Sequence, residues 1–160
     1  MGWALRNPVV VAILAALIVA IIGGAVTDVG PWYRNLEKPS FNPPDWLFAP
    51  AWTVIYALAV IAAVTGWRRT RTSAERALLI SLFFVNAVLN VLWSALFFTV
   101  KRPDWALAEV ATLWLSVLAL IVFFLRFSKI SALALAPYLL WVAFAGYLNL
   151  AIVKLNGPFG

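Results

Sequence analysis

The chain has 160 residues, of which 65% are hydrophobic and 11% are charged. A soluble domain is about half apolar and a quarter charged, so this composition excludes that class and indicates an integral membrane protein. Cys and His are both absent from the sequence, which excludes disulfide bonds, thiol or imidazole catalysis and the usual zinc ligands. The net charge of +6 comes from basic residues in short clusters between apolar runs. That distribution is typical of membrane-flanking segments, so we expect neither a nucleic-acid partner nor a metal site.

Five apolar runs are long enough to cross the roughly 30 Å hydrocarbon core as helices. They cover residues 8–26, 46–67, 77–100, 105–125 and 132–153, and charged residues bound each of them. None alternates apolar and polar residues at every second position, as a membrane-barrel strand would. We therefore expect one all-α membrane domain over residues 1–160, built as a bundle of five transmembrane helices.

The connection over residues 27–45 is the long one. It contains four prolines and three aromatic residues, namely Pro31, Pro39, Pro43, Pro44, Trp32, Tyr33 and Phe41. Proline restricts the backbone and aromatic rings supply area to bury, whereas a flexible linker is rich in Gly and Ser. We expect this segment to pack as a lid over one end of the bundle. The alternative is an aromatic anchor at the membrane interface that takes no part in ligand binding.

Three of the predicted helices carry large aromatic side chains on one face. The helical repeat aligns Phe48, Trp52 and Tyr56 in the second helix, Asn86, Asn90, Trp93 and Phe97 in the third, and Trp141, Ala145 and Asn149 in the fifth. Amides face lipid only at a high cost, so these faces should point into the bundle. Aromatic walls with a few polar groups are typical of a pocket for a flat, apolar ligand. Ordinary interhelical packing, with Asn bonding neighbouring helices, accounts for the same pattern.

Glu109 is the one acidic residue well inside a predicted span. A carboxylate within the membrane indicates a functional site. Glu109 also lies about one turn after Trp105, near the start of its helix, where the helix dipole favours an acid at the interface. Both interpretations stay open at this point.

Three motifs resemble one known family, the translocator proteins (TspO/MBR), also called tryptophan-rich sensory proteins or peripheral benzodiazepine receptors. Residues 32–44, WYRNLEKPSFNPP, resemble the family's first-loop and second-helix signature, which continues here in Trp46, Phe48, Pro50, Trp52, Thr53 and Tyr56. The third-helix pattern is similar to Asn86, Asn90, Trp93, Phe97 and Phe98, and the fifth to residues 137–145 with Leu148 and Asn149. The resemblance covers essentially the whole chain and is to the bacterial members of the family.

The resemblance implies a five-helix bundle, commonly a homodimer, whose first loop covers a ligand cavity. Family members bind porphyrins, and some bind cholesterol or isoquinoline carboxamides. Carried over residue by residue, it implies a cavity lined by Tyr33, Pro43, Phe48, Trp52, Tyr56, Asn90, Trp93, Trp141, Ala145 and Leu148, with Glu109 and Asn149 as further polar candidates. It also implies a tetrapyrrole ligand such as protoporphyrin IX or heme, no obligatory cofactor, surrounding membrane lipid, and a multi-pass position in a bacterial inner or outer membrane.

Our leading hypothesis from the sequence is a membrane receptor or sensor that binds porphyrins and other flat hydrophobic ligands and regulates or transports them. One alternative is light-dependent porphyrin breakdown, in which Trp52 or Trp141 supplies an electron. Another is a translocator of porphyrin or lipid, although 160 residues show no inverted repeat. The family's cholesterol-recognition stretch departs from its usual pattern, because Leu150 stands where relatives carry tyrosine and Tyr147 is one residue too far from Lys154.

Overall fold

The structure, a computed structural model, describes residues 7–159. Its α-helices are α1 Pro8–Val26, α2 Pro31–Asn35, α3 Phe48–Trp67, α4 Ser73–Ser94, α5 Pro103–Leu125, α6 Lys129–Ala134 and α7 Ala136–Asn156. A short 3₁₀ turn over Asp45–Leu47 leads into α3, and α4 continues as a π-helical turn over Ala95–Thr99. Five helical spans are long and apolar enough to cross a membrane, the fifth being formed by α6 and α7 together. The predicted all-α, five-helix membrane fold is confirmed.

The third span begins at Ser73, four residues before the predicted start, because its first turn is polar but well capped. The Thr72 hydroxyl accepts a hydrogen bond from the Glu75 backbone N–H (3.1 Å), and the Glu75 carboxylate accepts one from the Thr72 N–H (3.1 Å). This reciprocal capping box satisfies two N–H groups that a helix start otherwise leaves unpaired. An apolar run therefore underestimates the helix wherever a capped polar turn precedes it.

The fifth span begins at Lys129, extends to Asn156 and is interrupted at Leu135. Ser128 caps its start by accepting a hydrogen bond from the Ser131 N–H (3.2 Å). The interruption lies just before Pro137, whose ring clashes with the preceding turn and which has no N–H to donate. The proline is accommodated in the first turn of α7, where no such donor is needed.

The spans form a closed ring. Helix α1 packs against α3 and α4, α5 packs against α4 and α7, and α3 packs against α6. The α3 backbone packs closely against α6 but not against α7. Since α6 lies where α3 ends, the backbones of α3 and α7 stand further apart at the other end, which the first loop covers.

The most buried side chains lie on α5, which has neighbours on both sides. Leu113, Val117, Leu120 and Phe124 are almost completely inaccessible. Gly66 of α3 allows the closest approach to this core, because a Cβ atom there would overlap the Phe124 ring. Large apolar side chains that point away from the ring are exposed, as expected of a surface that faces lipid.

Candidate functional site

Aromatic side chains from α3 and α7 meet beneath the first loop. Trp52 stacks on Tyr56 with ring centroids 5.5 Å apart, and the edge contact between Trp52 and Tyr138 measures 6.0 Å. Phe48 contacts Trp141 edge to face at 5.9 Å. We call these five residues the α3–α7 aromatic cluster. Its side chains connect the two helices where their backbones do not pack closely.

The first loop packs over this end of the bundle through its own aromatic residues, as predicted. Tyr33 is buried and its ring contacts Phe98 of the π-helical turn at 5.4 Å. Trp32 meets Phe97 edge to face at 6.2 Å, and Phe41 stacks on Tyr147 of α7 at 5.0 Å. These contacts at three separate points fix the loop against α4 and α7 and make it a lid.

Two hydrogen bonds also hold the lid against the end of α7, and a cation–π contact lies within the lid. The Asn156 side chain at the end of α7 donates a hydrogen bond to the Glu37 carbonyl (2.9 Å) and accepts one from the Glu37 N–H (2.8 Å). Lys38 places its ammonium group 4.1 Å from the centre of the Tyr33 ring. Burial raises the pKa of Tyr33 to about 12, and the carboxylate of Asp45 adds to this effect. The Tyr33 phenol is therefore neutral at physiological pH.

A chain of hydrogen bonds crosses the core beside the α3–α7 aromatic cluster. The Tyr56 hydroxyl donates to Asn90 Oδ1 (2.9 Å), and Asn90 Nδ2 donates to the Tyr138 hydroxyl (2.9 Å). Tyr138 in turn donates to Asn86 Oδ1 (3.2 Å), and Asn86 Nδ2 donates to the Ser116 hydroxyl (2.8 Å). The chain joins α3, α4, α5 and α7, and it engages both ends of the Asn90 amide.

Asn149 forms a second polar connection nearer the lid. It accepts a hydrogen bond from Trp93 Nε1 (3.3 Å) and donates to the Pro103 carbonyl (2.8 Å), which ties α7 to α4 and to the start of α5. Asn149 is almost completely buried. Its amide therefore stabilises the bundle in this conformation, with one hydrogen bond at each end.

Glu109 is buried within the bundle. Its side chain is only 9% exposed, and neither carboxylate oxygen has a hydrogen-bond partner among the described residues. The depth of Glu109 in the membrane, intramembrane or interfacial, stays a prediction. No hydrogen bond among residues 7–159 connects Glu109 to the α3–α7 aromatic cluster.

The structure distributes the predicted site residues over two adjoining groups. Phe48, Trp52, Tyr56 and Trp141 belong to the α3–α7 aromatic cluster, and Asn90 bonds to it. Tyr33 of the lid and Leu148 of α7 belong to one buried cluster, and Trp93 packs against both that cluster and the main core. Pro43 in the lid and Ala145 in α7 are half-buried, and the Pro43 carbonyl accepts a hydrogen bond from the Asn42 side chain (2.8 Å).

Sequence reasoning missed Tyr138, Ser116 and Asn156. Tyr138 precedes Trp141 by three residues, so the helical repeat places both on one face and could have revealed it. Ser116 has no distinguishing pattern around it, and Asn156 lies beyond the predicted end of the fifth helix. The structure shows their importance because each one satisfies a partner on a different element.

The ring separations show how closely the cluster is packed. Centroid distances of 5.5–6.0 Å within the α3–α7 aromatic cluster are those of rings in direct contact. These side chains therefore fill the space between α3 and α7, although the two backbones are not packed together there.

Comparison with known proteins identifies this arrangement of five spans and a lid. Residues 11–155 match the sequence profile of the TspO/MBR family. The chain belongs to this family. It is 41% identical over 149 residues to the tryptophan-rich protein TspO of Archaeoglobus fulgidus, covering 92% of this chain and 95% of the relative. It is 34% identical over 156 residues to the tryptophan-rich sensory protein of Cereibacter sphaeroides, covering 98% and 94%.

The similarity reaches animal members of the TspO/MBR family as well. The chain is 30% identical over 126 residues to the human translocator protein, covering 78% of this chain and 75% of the relative. Family membership and the five apolar spans together establish a multi-pass membrane protein of the sensor and translocator type.

Proposed function

We propose that this TspO/MBR protein is a membrane receptor that binds porphyrins between α3 and α7, beneath the lid. The α3–α7 aromatic cluster is the observation that carries the proposal. It presents indole and phenyl rings from two helices toward the same place, and those helices are joined there by side chains alone. Aromatic surfaces of this kind suit a planar, largely apolar ring system.

The polar edge of the ligand would be bound by the lid. The amides of Asn90 and Asn149 are already hydrogen-bonded at both ends. Lys38 lies over Tyr33 with its ammonium group free to exchange that ring for another partner. A cation at this position suits the carboxylate substituents of a porphyrin, so the lid would select for anionic edge groups while the rings bind the macrocycle.

Porphyrin titration tests this proposal, with the shift of the porphyrin absorption band as the readout. We expect Trp141→Ala to weaken binding about tenfold or more, because one wall of the ligand site is removed. Trp105→Ala is the control, since Trp105 is an exposed tryptophan on α5, outside both aromatic groups. Equal affinities for wild type and Trp141→Ala would show that the α3–α7 aromatic cluster does not form the porphyrin site.

A second candidate function, light-dependent porphyrin breakdown, is favoured by the stack of Trp52 on Tyr56. An indole in contact with an excited porphyrin can transfer one electron to it, which leaves an indole radical cation and a porphyrin radical anion, and dissolved dioxygen would then be the oxidant for breakdown of the ring; neither His nor Cys is needed for the electron transfer. Illumination of the purified complex tests it. Bleaching should be faster than for free porphyrin in the same detergent and should slow in Trp52→Phe, whereas equal rates for bound and free porphyrin argue for binding alone.

A further inference from the structure

The end of the bundle opposite the lid is strongly basic. Among the described residues it carries six basic side chains and a single acidic one, Glu75, whereas the lid end carries five basic and four acidic side chains. The basic residues are Arg68, Arg69, Arg71, Arg76, Arg126 and Lys129. We call the surface formed by the α3–α4 and α5–α6 connections the arginine-rich end.

Two adjoining cavities open on this surface. The larger, about 570 Å³, lies between the α3–α4 connection and the end of α5, and the smaller, about 410 Å³, lies beside the α5–α6 connection. Arg69, Arg126 and Phe127 line both cavities, so they form one continuous depression. Arg68 and Arg71 complete the larger part, and Lys129 the smaller.

The guanidinium groups in this depression have no carboxylate partner within the part of the chain that the structure describes. The salt bridge found among residues 7–159, between Arg102 and Asp104, lies at the lid end. Glu75 lines the larger cavity, but its carboxylate accepts hydrogen bonds from the backbone N–H groups of Arg71 (2.6 Å) and Thr72 (3.1 Å). The depression is thus lined by five basic side chains and one acidic side chain, and this excess of positive charge suits a phosphate oxyanion.

Apolar side chains continue from the depression onto the surface that faces lipid. Leu125 and Ile130 line the smaller cavity and are 57% and 61% exposed, and Leu133, one turn further along α6, is 70% exposed. A molecule whose charged group occupies the depression can therefore lay apolar chains along α5 and α6. Free phosphate would contact only the basic depression and not the apolar side chains.

We infer that the arginine-rich end binds the phosphate headgroup of an anionic membrane phospholipid, with Arg69 and Arg126 at its centre and the acyl chains against α5 and α6. Basic pockets at the ends of transmembrane helices recognise such headgroups through charge. The site lies at the opposite end of the bundle from the proposed porphyrin site. Its success or failure is therefore independent of that proposal.

Native mass spectrometry of the full chain in a neutral detergent tests the inference. The probes are phosphatidylglycerol, phosphatidylcholine with the same acyl chains, and glycerol 3-phosphate, which carries the phosphate without the chains. Wild type should bind phosphatidylglycerol about tenfold more tightly than phosphatidylcholine, and more tightly than glycerol 3-phosphate. Higher salt should weaken the adducts of the two anionic probes, phosphatidylglycerol and glycerol 3-phosphate, and leave the phosphatidylcholine adduct unchanged.

The double variant R69Q/R126Q should lose about 10- to 30-fold in affinity for phosphatidylglycerol and keep its affinity for phosphatidylcholine. K101Q/K154Q removes the same charge at the lid end and should change binding by less than about twofold. Circular dichroism verifies that both variants keep their helix content. Equal losses in the two variants, equal binding of the two lipids, or glycerol 3-phosphate binding as tightly as phosphatidylglycerol would each overturn the inference.

Discussion

Tyr138 of α7 links the polar core to the aromatic rings. Its hydroxyl accepts a hydrogen bond from Asn90 and donates one to Asn86, and its side chain is 3% exposed. Its ring also forms the edge contact with Trp52. One side chain therefore belongs both to the hydrogen-bonded chain and to the α3–α7 aromatic cluster, so the polar core supports the position of the aromatic rings.

Tyr138→Phe should lower the free energy of unfolding by about 1–2 kcal/mol, because it leaves an amide donor and an amide acceptor of α4 without partners. Tyr147→Phe is the matched control. It removes the same hydroxyl from a ring that is 59% exposed and makes no side-chain hydrogen bond in the described part of the chain. Unfolding in a denaturing detergent series measures both. Equal losses in the two variants would contradict a structural role for the Tyr138 hydroxyl.

The sequence predicted the inward face of α4 but not the partners on it. The i, i+4 spacing of Asn86 and Asn90 was enough to predict that both amides point into the bundle, and both are buried. Their partners depend on the rotation and depth of α5 and α7, which a single-helix pattern does not contain. The hydrogen bonds to Tyr138 and Ser116 can therefore be identified only from the tertiary structure.

At the scale of elements, the contact between α3 and α5 depends on the absence of one side chain. Gly66 lies against the fully buried Phe124 ring, and a Cβ atom added there would overlap it. The ring is enclosed by the main core and has no free direction in which to move. This glycine is required by packing and not by backbone conformation.

Gly66→Ala should lower the unfolding midpoint, with a loss of about 1–3 kcal/mol from overpacking. Gly24→Ala provides the comparison, because no atom lies within 4 Å of a Cβ added at Gly24. The better helix propensity of alanine should make that variant neutral or slightly more stable. If both variants unfold at the wild-type midpoint, the α3–α5 contact is looser than the structure indicates.

Element boundaries show where apolar runs stop being informative. The number of spans followed from hydrophobic length, but the starts of α4 and α6 are set by the capping residues Thr72 and Ser128. Helix α2 was predicted only as part of the lid, because five residues are too few to show a helical repeat. Capping and short helices are local hydrogen-bonding events that a hydropathy pattern does not record.

At the scale of the whole molecule, the ring of helices is closed unequally at its two ends. Helix α3 packs directly on α6 at the arginine-rich end, while side chains and the lid close the other end. The order of the helices around the ring was not predictable from the spans, since each long helix is apolar on most of its surface. A homodimer and binding of sterol or isoquinoline carboxamide stay predictions from the resemblance.

If the proposed function is correct, porphyrin should widen only the lid end. Because the chain has no Cys, paired spin labels can be introduced cleanly at Ala49 and Leu140, the neighbours of the contacting Phe48 and Trp141, and at Ile61 and Leu133 nearer the other end. Saturating porphyrin should lengthen the first distance by roughly 3–4 Å, the thickness of one inserted ring. The second distance should stay constant. Bound porphyrin with an unchanged Ala49–Leu140 distance would mean that the ligand lies outside the α3–α7 interface.

The two hydrogen bonds between Asn156 and Glu37 give the lid a mechanical link to the end of the fifth span. For Glu37 to move away from the bundle, both bonds must be exchanged for bonds to water, or the last turn of α7 must move with it. If porphyrin binds beneath the lid as proposed, a displacement of the lid would therefore also reach the carboxyl-terminal turn of α7.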